Sequence, residues 1–369
     1  MVVLPAGVSR HSVRFLNSAG GVCAVKELPL ELARREYSAL RQLEELEGPS
    51  VLPVGIVQRT GADPGSELAA AVITRYAQHA FPYRQLLSGP GFGARRNQML
   101  DAFALLLVQL HLKGCYWGDC SLSNVLCRYD AAAIETIMVD AETTSLHPSL
   151  SDGQRGSDLG IMVENVGGEM ADIAAAAGLG LDEADLGMGE DIADRYRSLW
   201  SELSAEETID PGEEYRVTER VRRLNDLGFQ VDEIEVVPHR GREHLHFKVR
   251  VAGHGYNTDR LKELTGLEAG EFQARQLLAD LNYFARKQGE GSVRTPAGKA
   301  LMALRWRAEA LEPTLARLAP HLDGRDPIQA YCDLLNHRYL VSAAQGRDVG
   351  TEAALKSWLK EGMPGYTLT

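Results

Sequence analysis

The sequence predicts an α+β protein of two domains. A small antiparallel sheet with one helix precedes a helical region, and a second, mostly helical α+β domain follows. Short apolar or alternating runs separated by glycine turns dominate residues 1–75, with one helical stripe among them. Apolar residues then recur at helical spacing over residues 94–204. The polar, turn-rich stretch 204–212 comes next, so we expect domains at 1–205 and 211–369.

Composition and charge limit the classes of function that the sequence allows. Of the 369 residues, 44% are hydrophobic and 24% charged, as in ordinary globular proteins. No run approaches the roughly 20 apolar residues that cross a bilayer. The N-terminus also lacks the basic and apolar regions of a signal peptide, so we expect a cytoplasmic protein without a membrane span. Residues 1–210 carry 29 acidic and 16 basic side chains, and residues 211–369 carry 22 and 23, which argues against nucleic acid as a partner.

Three short strands are expected in the first 28 residues. Val2–Leu4 is apolar, Ser12–Leu16 alternates polar and apolar residues, and Val22–Leu28 follows a glycine turn. Alternation of this kind is typical of strands with one buried face.

A single helix is expected over residues 30–47, because the apolar residues change to a helical period there. Its stripe consists of Leu30, Ala33, Tyr37, Leu40 and Leu43. Gly48 and Pro49 end the helix. Strands near 54–58 and 70–74 complete an antiparallel half-domain.

From residue 94 the pattern becomes helical, and it stops near Gly114, which suits a helix C-terminus. Two short strands and two helices are then expected, at 124–127, 136–139, 157–177 and 188–204. The second domain is expected to contain a helix, two strands and two helices, at 214–227, 231–237, 243–251, 257–265 and 270–287.

The candidate chemistry begins with Asp119 and Asn124, in a loop between a helix and a strand. Phosphoryl transfer needs a carboxylate that orients an attacking hydroxyl and accepts its proton, and oxygen ligands that hold Mg²⁺. Asp119 suits the first role and Asn124 the second. Asp140 ends an apolar strand 16 residues after Asn124 and would be the principal metal ligand if the two short strands pair.

A lysine and a glutamate upstream complete the set. Lys26 lies near the end of the third strand, and Glu36 falls between Ala33 and Leu40 on the apolar face of the helix. An unpaired carboxylate there would be expensive, and Lys26 as its partner removes that cost and would position ATP phosphates. Glu44 shares the face and is the alternative partner.

The order of Lys26, Glu36, Asp119, Asn124 and Asp140 resembles the shared core of eukaryotic-like kinases and small-molecule phosphotransferases. The base follows a glycine instead of the arginine of protein kinases. In this it is similar to the aminoglycoside phosphotransferase and lipopolysaccharide sugar-kinase branches.

Two longer runs narrow the resemblance. Trp117-Gly-Asp-Cys-Ser-Leu-Ser-Asn and Val139-Asp-Ala-Glu-Thr, followed by His147-Pro-Ser-Leu-Ser-Asp-Gly-Gln-Arg, are similar to bacterial lipopolysaccharide kinase-like proteins. In those proteins an uncharacterised domain follows the kinase unit. The resemblance therefore covers both predicted domains.

The resemblance implies a two-lobed protein-kinase-like fold, with a small antiparallel-sheet N-lobe, a helical C-lobe and ATP in the cleft. It also implies roles for the five residues. Lys26 would contact phosphate and Glu36 would pair with it. Asp119 would be the catalytic base, and Asn124 and Asp140 would bind Mg²⁺.

The sequence departs from that family pattern at several positions. No Gly-x-Gly-x-x-Gly loop follows the first strand, so phosphate binding there would depend on Gly7 and Ser9. Trp117 stands where the catalytic loop usually has histidine, and Glu142 lies two residues after Asp140, as an extra ligand or a solvated loop residue. The resemblance also implies that Asp158 braces the catalytic loop, with a helix N-terminal cap as the alternative.

Other polar clusters are predicted to be structural. Five cysteines without a Cys-x-x-Cys pair indicate buried thiols, with a metal cluster or catalytic thiol as the alternative. They are Cys23, Cys115, Cys120, Cys127 and Cys332. Four histidines near a predicted hairpin are expected to be exposed, with a metal site as the alternative: His239, His244, His246 and His254.

These features predict an ATP-dependent phosphotransferase that acts on a hydroxyl of a sugar or another small molecule. The alternative is a pseudokinase-type binding module, whose 211–369 domain recruits a protein partner. The missing glycine loop and the Asp-Ala-Glu triplet at Asp140 motivate that alternative.

Overall fold

The computed structural model describes the chain in two compact units. One contains the residues up to Arg128 together with Glu135–Glu202, and the other contains Tyr129–Ile134 and the residues from Leu203 onward. The described residues are 11–18, 20–83, 92–178, 180, 183–209, 215–238, 245–288 and 295–365. The predicted strand Val2–Leu4 lies outside them.

An antiparallel sheet and one helix form the N-terminal lobe of the first unit. The elements are β1 (Val13–Ser18), β2 (Gly21–Leu28), α1 (Leu30–Glu45), β3 (Pro53–Gln58) and β4 (Ala70–Arg75). The strands run in the order β1-β2-β4-β3. In this register Lys26 on β2 pairs with Val13 on one side and Val72 on the other. Lys26 is therefore fixed in the middle of the sheet.

Helix α1 packs its apolar stripe against the protein interior. The buried apolar positions are Leu30, Ala33, Ala39, Leu40 and Leu43. Each fully buried leucine contributes about 1.5–3 kcal/mol relative to an exposed one. Glu36 lies on the same stripe and is also buried. The helix thus carries a carboxylate into the lobe along with its apolar residues.

Helices dominate the C-terminal lobe of the first unit. Its helices are α2 (Phe92–Leu112), α3 (Asp152–Ala177), α4 (Glu183–Leu186) and α5 (Met188–Ser204). Its short strands are β5 (Phe81–Pro82), β6 (Cys115–Tyr116), β7 (Val125–Asp130), β8 (Ala133–Met138) and β9 (Ser145–Leu146). Strands β5, β7 and β8 form one sheet and β6 and β9 another, with a 3-10 turn at Leu122–Asn124 just before β7.

A glycine fixes the approach of β6 to β9. Gly114 has a φ of 72°, and a Cβ on it would lie 1.8 Å from the carbonyl oxygen of His147. Because neither that conformation nor that space accepts a side chain, only glycine fits. The loop that leads to Asp119 therefore leaves helix α2 in a defined direction.

Helix α3 begins earlier than predicted. Ser151 is its N-cap, and the Ser151 and Gln154 side chains bond each other's backbone N–H groups in a capping box. The helix already includes Asp158, so the interpretation of Asp158 as an N-terminal cap is wrong.

The second unit combines a three-stranded sheet with helices. Its elements are β10 (Glu206–Ile209), α6 (Tyr215–Asp226), β11 (Phe229–Pro238), β12 (Leu245–His254), α7 (Tyr256–Thr265), α8 (Glu271–Lys287), α9 (Pro296–Trp306), α10 (Glu312–Leu318), α11 (Pro327–Gln345) and α12 (Gly350–Lys360). Its apolar core includes Trp306, Tyr331 and Trp358.

The predicted fold class is confirmed. A small antiparallel sheet with one helix precedes a helical lobe, as in protein-kinase-like folds, and a mostly helical α+β unit follows. Within the described residues, no helix has the length and apolar character needed to cross a membrane.

Candidate active site

A cleft of about 250 Å³ lies between the two lobes of the first unit. The polar residues Lys26, Glu36, Asn124 and Asp140 line part of it. The rest is mainly apolar and includes Val13, Ala24, Val51, Val72, Leu126 and Val139. An apolar slot beside a charged end suits a ligand that has a flat ring and an anionic tail.

Lys26 lies at the centre of a cluster of three carboxylates. Its Nζ donates to Asp140 Oδ2 at 2.7 Å, and lies 3.2 Å from Glu36 Oε2 and 3.5 Å from Glu142 Oε2. The structure thus brings together Lys26, Glu36 and Asp140, which the sequence places on β2, on α1 and after β8. Glu44 instead contacts Arg41 on the same helix.

Burial and charge act against each other in this cluster. Burial raises the pKa of Glu36 to about 7, although the attraction of Lys26 lowers it. For Lys26, burial lowers the pKa, but Glu36, Asp140 and Glu142 outweigh it and leave the pKa above its usual value. Lys26 therefore stays protonated at neutral pH, whereas the charge of Glu36 changes in that range.

Glu142 is buried and belongs to the cluster, so the interpretation as a solvated loop residue is wrong. Its backbone N–H donates to Asp140 Oδ1 at 3.1 Å. Its side chain lies 3.0 Å from His11 Nε2, and His11 Nδ1 lies 2.8 Å from Glu67 Oε2. His11 thus links the cluster to the loop before β4.

Two sets of oxygen atoms are candidates for a cation site. Glu36, Asp140 and Glu142 approach within 4.8 Å of one another, but the Lys26 ammonium already lies among them. Asp140 and Asn124 line the same cleft. Asn124 Nδ2 donates to Asp119. These hydrogen bonds do not use Asn124 Oδ1, which points away from Nδ2 on the amide group. A carboxylate and an amide oxygen are ligands that Mg²⁺ accepts, but Lys26 Nζ lies 2.7 Å from Asp140 Oδ2, so Lys26 must move away from Asp140 before a cation binds there.

Asp119 is held by two amides. Asn124 Nδ2 donates to the Asp119 carbonyl oxygen at 3.0 Å and lies 3.4 Å from Oδ2. Asn165 Nδ2 donates to Asp119 Oδ1 at 3.2 Å. Asp119 is partly exposed, so its carboxylate can be reached from solvent. The structure therefore places Asp119 and Asn124 in direct contact.

Asp158 binds the loop that carries Asp119. It is fully buried and accepts hydrogen bonds from the backbone N–H groups of Trp117 and Gly118, both at 2.8 Å. Its Oδ2 also lies 3.1 Å from His111 Nε2. Gly118 has a φ of 79°, a conformation that side chains disfavour. Asp158 therefore braces the catalytic loop through its backbone.

Trp117 connects this loop to Asp140. The indole is fully buried and stacks on Phe103, with ring centroids 6.4 Å apart. Its Nε1 donates to the Asp140 carbonyl oxygen at 2.9 Å. The residue that departs from the family pattern thus holds the backbone of the candidate metal ligand.

Sequence reasoning missed Asn165 and Glu169 on α3. Glu169 accepts hydrogen bonds from the backbone N–H groups of Leu122, at 2.5 Å, and Ser123, at 2.9 Å. Both helix residues are partly buried and lie on the face of α3 that carries Asp158. A polar residue repeated on the buried face of an amphipathic helix is the signal that could have found them.

Several predicted residues carry no structural account. Gly7, Ser9, His239 and His244 lie outside the described residues. His254, the last of the four histidines, is described, and its Nε2 contacts the Leu227 carbonyl oxygen at 3.2 Å.

Four of the five cysteines are buried and Cys23 is partly buried, and all five are unpaired with one another, as expected for structural thiols. Burial raises the pKa of Cys115, Cys120, Cys127 and Cys332, which keeps these thiols protonated.

Comparison with known proteins gives two family matches. Residues 23–165 match the Lipopolysaccharide kinase (Kdo/WaaP) family, and residues 198–363 match a Domain of unknown function (DUF4032). A solved structure described as WaaP in complex with acyl carrier protein is 18% identical, with a TM-score of 0.36, over 61% of this chain and 89% of that one. No curated protein matches the chain.

The resemblance to a lipopolysaccharide kinase-like unit followed by an uncharacterised domain is therefore confirmed. The first match contains Lys26, Glu36, Asp119, Asn124 and Asp140. It supports phosphotransfer of the kinase type.

Proposed function

We propose that this chain is an ATP-dependent phosphotransferase that moves the γ-phosphoryl group to a hydroxyl of a sugar or another small molecule. The observation that carries the proposal is the Lys26–Asp140 contact of 2.7 Å in a cleft that Asn124 also lines. The family match over residues 23–165 supports the same class of reaction.

Each residue has a part in this proposal. The apolar slot would take the nucleotide base, and Lys26 would bind phosphate oxygens with Glu36 holding its ammonium in place. A divalent cation such as Mg²⁺, bound by Asp140 and Asn124, would neutralise phosphate charge. Asp119 would accept the hydroxyl proton of the acceptor while the new P–O bond forms and the bond to ADP breaks.

Substitution of Asp119 tests the proposal. With Mg²⁺ and ATP labelled on the γ-phosphate, the purified chain should transfer label to a component of a cell extract. Asp119→Ala should lower the rate about 10²- to 10⁴-fold, the contribution typical of a positioned base. Asp172→Ala, which removes an exposed carboxylate from α3, is the matched control and should leave the rate unchanged. If Asp119→Ala transfers label at the wild-type rate, Asp119 is not the catalytic base.

One observation favours a second candidate, a pseudokinase-type module that recruits a protein partner through residues 211–369. Glu142, which departs from the family pattern, also contacts Lys26 and competes with phosphate for its ammonium group.

Nucleotide binding separates the two candidates. Mg·ATP at 100 times its dissociation constant should stabilise the enzyme by about 2.7 kcal/mol, which a thermal-shift titration detects. An unchanged melting temperature at millimolar Mg·ATP favours the recruiting module instead.

A further inference from the structure

One face of helix α3 presents three polar side chains to the catalytic loop. Asp158, Asn165 and Glu169 are spaced by seven and four residues, so they lie on one face of the helix. Met162 and Val166 lie between them, and both are fully buried. The face therefore packs inside the lobe, where a polar residue needs a partner.

Each of the three side chains binds a different part of the loop. Asp158 accepts from the backbone of Trp117 and Gly118, at the start. Glu169 accepts from the backbone at Leu122 and Ser123, where the 3-10 turn begins. Asn165 lies between these two anchors, opposite Asp119.

Asn165 alone among them contacts the carboxylate of Asp119. Its Nδ2 donates to Asp119 Oδ1 at 3.2 Å and to the Cys120 carbonyl oxygen at 3.1 Å. An amide NH₂ has two hydrogens, so both are used. Asn124 lies on the other oxygen, Oδ2, at 3.4 Å. The carboxylate is therefore held from both sides, and rotation about its side-chain bonds is restricted.

We propose that Asn165 is a positioning residue, which holds the Asp119 carboxylate in the orientation that accepts the proton of the attacking hydroxyl. The proposal rests on the phosphotransferase function of the same site. Asn165 contributes only donors to Asp119, so it orients the carboxylate and leaves the proton transfer to it. Misplacement of a reacting group by about 1 Å can cost on the order of 100-fold in rate.

The first test is kinetic. Release of labelled phosphate from ATP, with water as the acceptor, gives kcat and KM without knowledge of the natural acceptor. Asn165→Ala should lower kcat about 10- to 100-fold and leave the KM for Mg·ATP within about twofold. Asn165→Gln keeps the amide donor and should recover part of kcat.

Two comparisons control that test. Glu164→Ala removes an exposed neighbour on α3 and should match the wild type. Asn165→Ala combined with Asp119→Ala should be no slower than Asp119→Ala alone, because Asn165 acts through Asp119. A kcat for Asn165→Ala within twofold of the wild type overturns the proposal, and so does a loss that appears only in KM.

The second test uses stability and does not depend on activity. Urea unfolding of Asp119→Ala, Asn165→Ala and the double variant forms a double-mutant cycle. The hydrogen bond should appear as a coupling of about 2- to 10-fold in the unfolding equilibrium constant. Additive effects overturn the proposed contact. Coupling together with a wild type that neither releases nor transfers phosphate removes the proposed function and leaves the contact standing.

Discussion

Glu36 and Asp158 are carboxylates of the same site, and both are excluded from solvent, at 1% and 0% exposure. Their partners differ. Asp158 accepts two backbone hydrogen bonds at 2.8 Å and lies near the ring of His111. Glu36 depends on one lysine, at 3.2 Å, and Lys26 is shared with two other carboxylates.

The difference separates a region built on backbone geometry from one built on charge. Backbone N–H groups cannot titrate or move to another partner without unfolding the loop, so these two hydrogen bonds of Asp158 stay in place. The ammonium of Lys26 can exchange Asp140 or Glu142 for a phosphate group of similar charge. The loop that carries Asp119 is therefore preformed, whereas the proposed ligand would change the balance of charges in the Lys26 cluster.

The largest expected effect comes from a substitution of Asp158, in the region built on backbone geometry. Asp158→Asn keeps the shape but turns an NH₂ group toward a backbone donor, which leaves a buried N–H without an acceptor. Loss of a buried network of this kind costs about 3–5 kcal/mol. Urea unfolding followed by circular dichroism measures it.

Asp172→Asn provides the matched control, because Asp172 is an exposed carboxylate on the same helix. Its effect should lie within about 0.5 kcal/mol of the wild type. Equal stability of the two variants would contradict the idea that Asp158 holds the loop.

The next effect concerns the Lys26 cluster, where the free energy of unfolding should depend on pH. The pKa of Glu36 is raised to about 7 in the folded chain, from 4.5. The folded state therefore binds this proton more tightly than the unfolded state. The resulting stability is complete below about pH 4.5 and is lost as the pH rises through about 7, by no more than about 3 kcal/mol.

Glu36→Gln removes that titration and should flatten this part of the pH profile. The measurement is the difference in unfolding free energy between variant and wild type from pH 4.5 to 8. Glu44→Gln, on the surface of the same helix beside Arg41, should keep the wild-type slope. A parallel profile for Glu36→Gln would show that Lys26 keeps Glu36 ionised throughout.

The sequence made the charge-built side predictable. On the other side, the resemblance indicated that Asp158 braces the loop, but it did not identify the backbone groups that Asp158 binds. Glu36 interrupts an apolar stripe, so burial demands a cation, and Lys26 lies on the strand just before it. The spacing of Asp119, Asn124 and Asp140 also has a chemical reason, because phosphoryl transfer needs a carboxylate for the hydroxyl proton and oxygen ligands for Mg²⁺. The hydrophobic period and the glycine turns likewise fix the order of sheet and helices in the first unit.

Contacts made across long stretches of chain gave no such signal. Asp158 meets Trp117 and Gly118 about 40 residues away, and spacing alone cannot identify a backbone partner. The start of α3 was predictable in principle, since Ser151 and Gln154 have the capping-box spacing. Glu142 has no sequence signal for its contact with Lys26, because the fold alone brings β2 beside Asp140.

The smallest effect concerns Trp117, which joins the two regions. Its backbone N–H binds Asp158, and its indole Nε1 donates to the Asp140 carbonyl oxygen at 2.9 Å. Trp117→Phe removes the indole donor and part of a buried ring, so the lost hydrogen bond and the small cavity should together cost about 2 kcal/mol of stability. Trp358 is the matched control, because its buried indole donates to the Pro364 carbonyl oxygen, also at 2.9 Å, in the second unit. Both variants should lose similar stability, but only Trp117→Phe should weaken the thermal shift by Mg·ATP, since it loosens Asp140. An equal nucleotide response in both would mean that Lys26 alone keeps Asp140 in place.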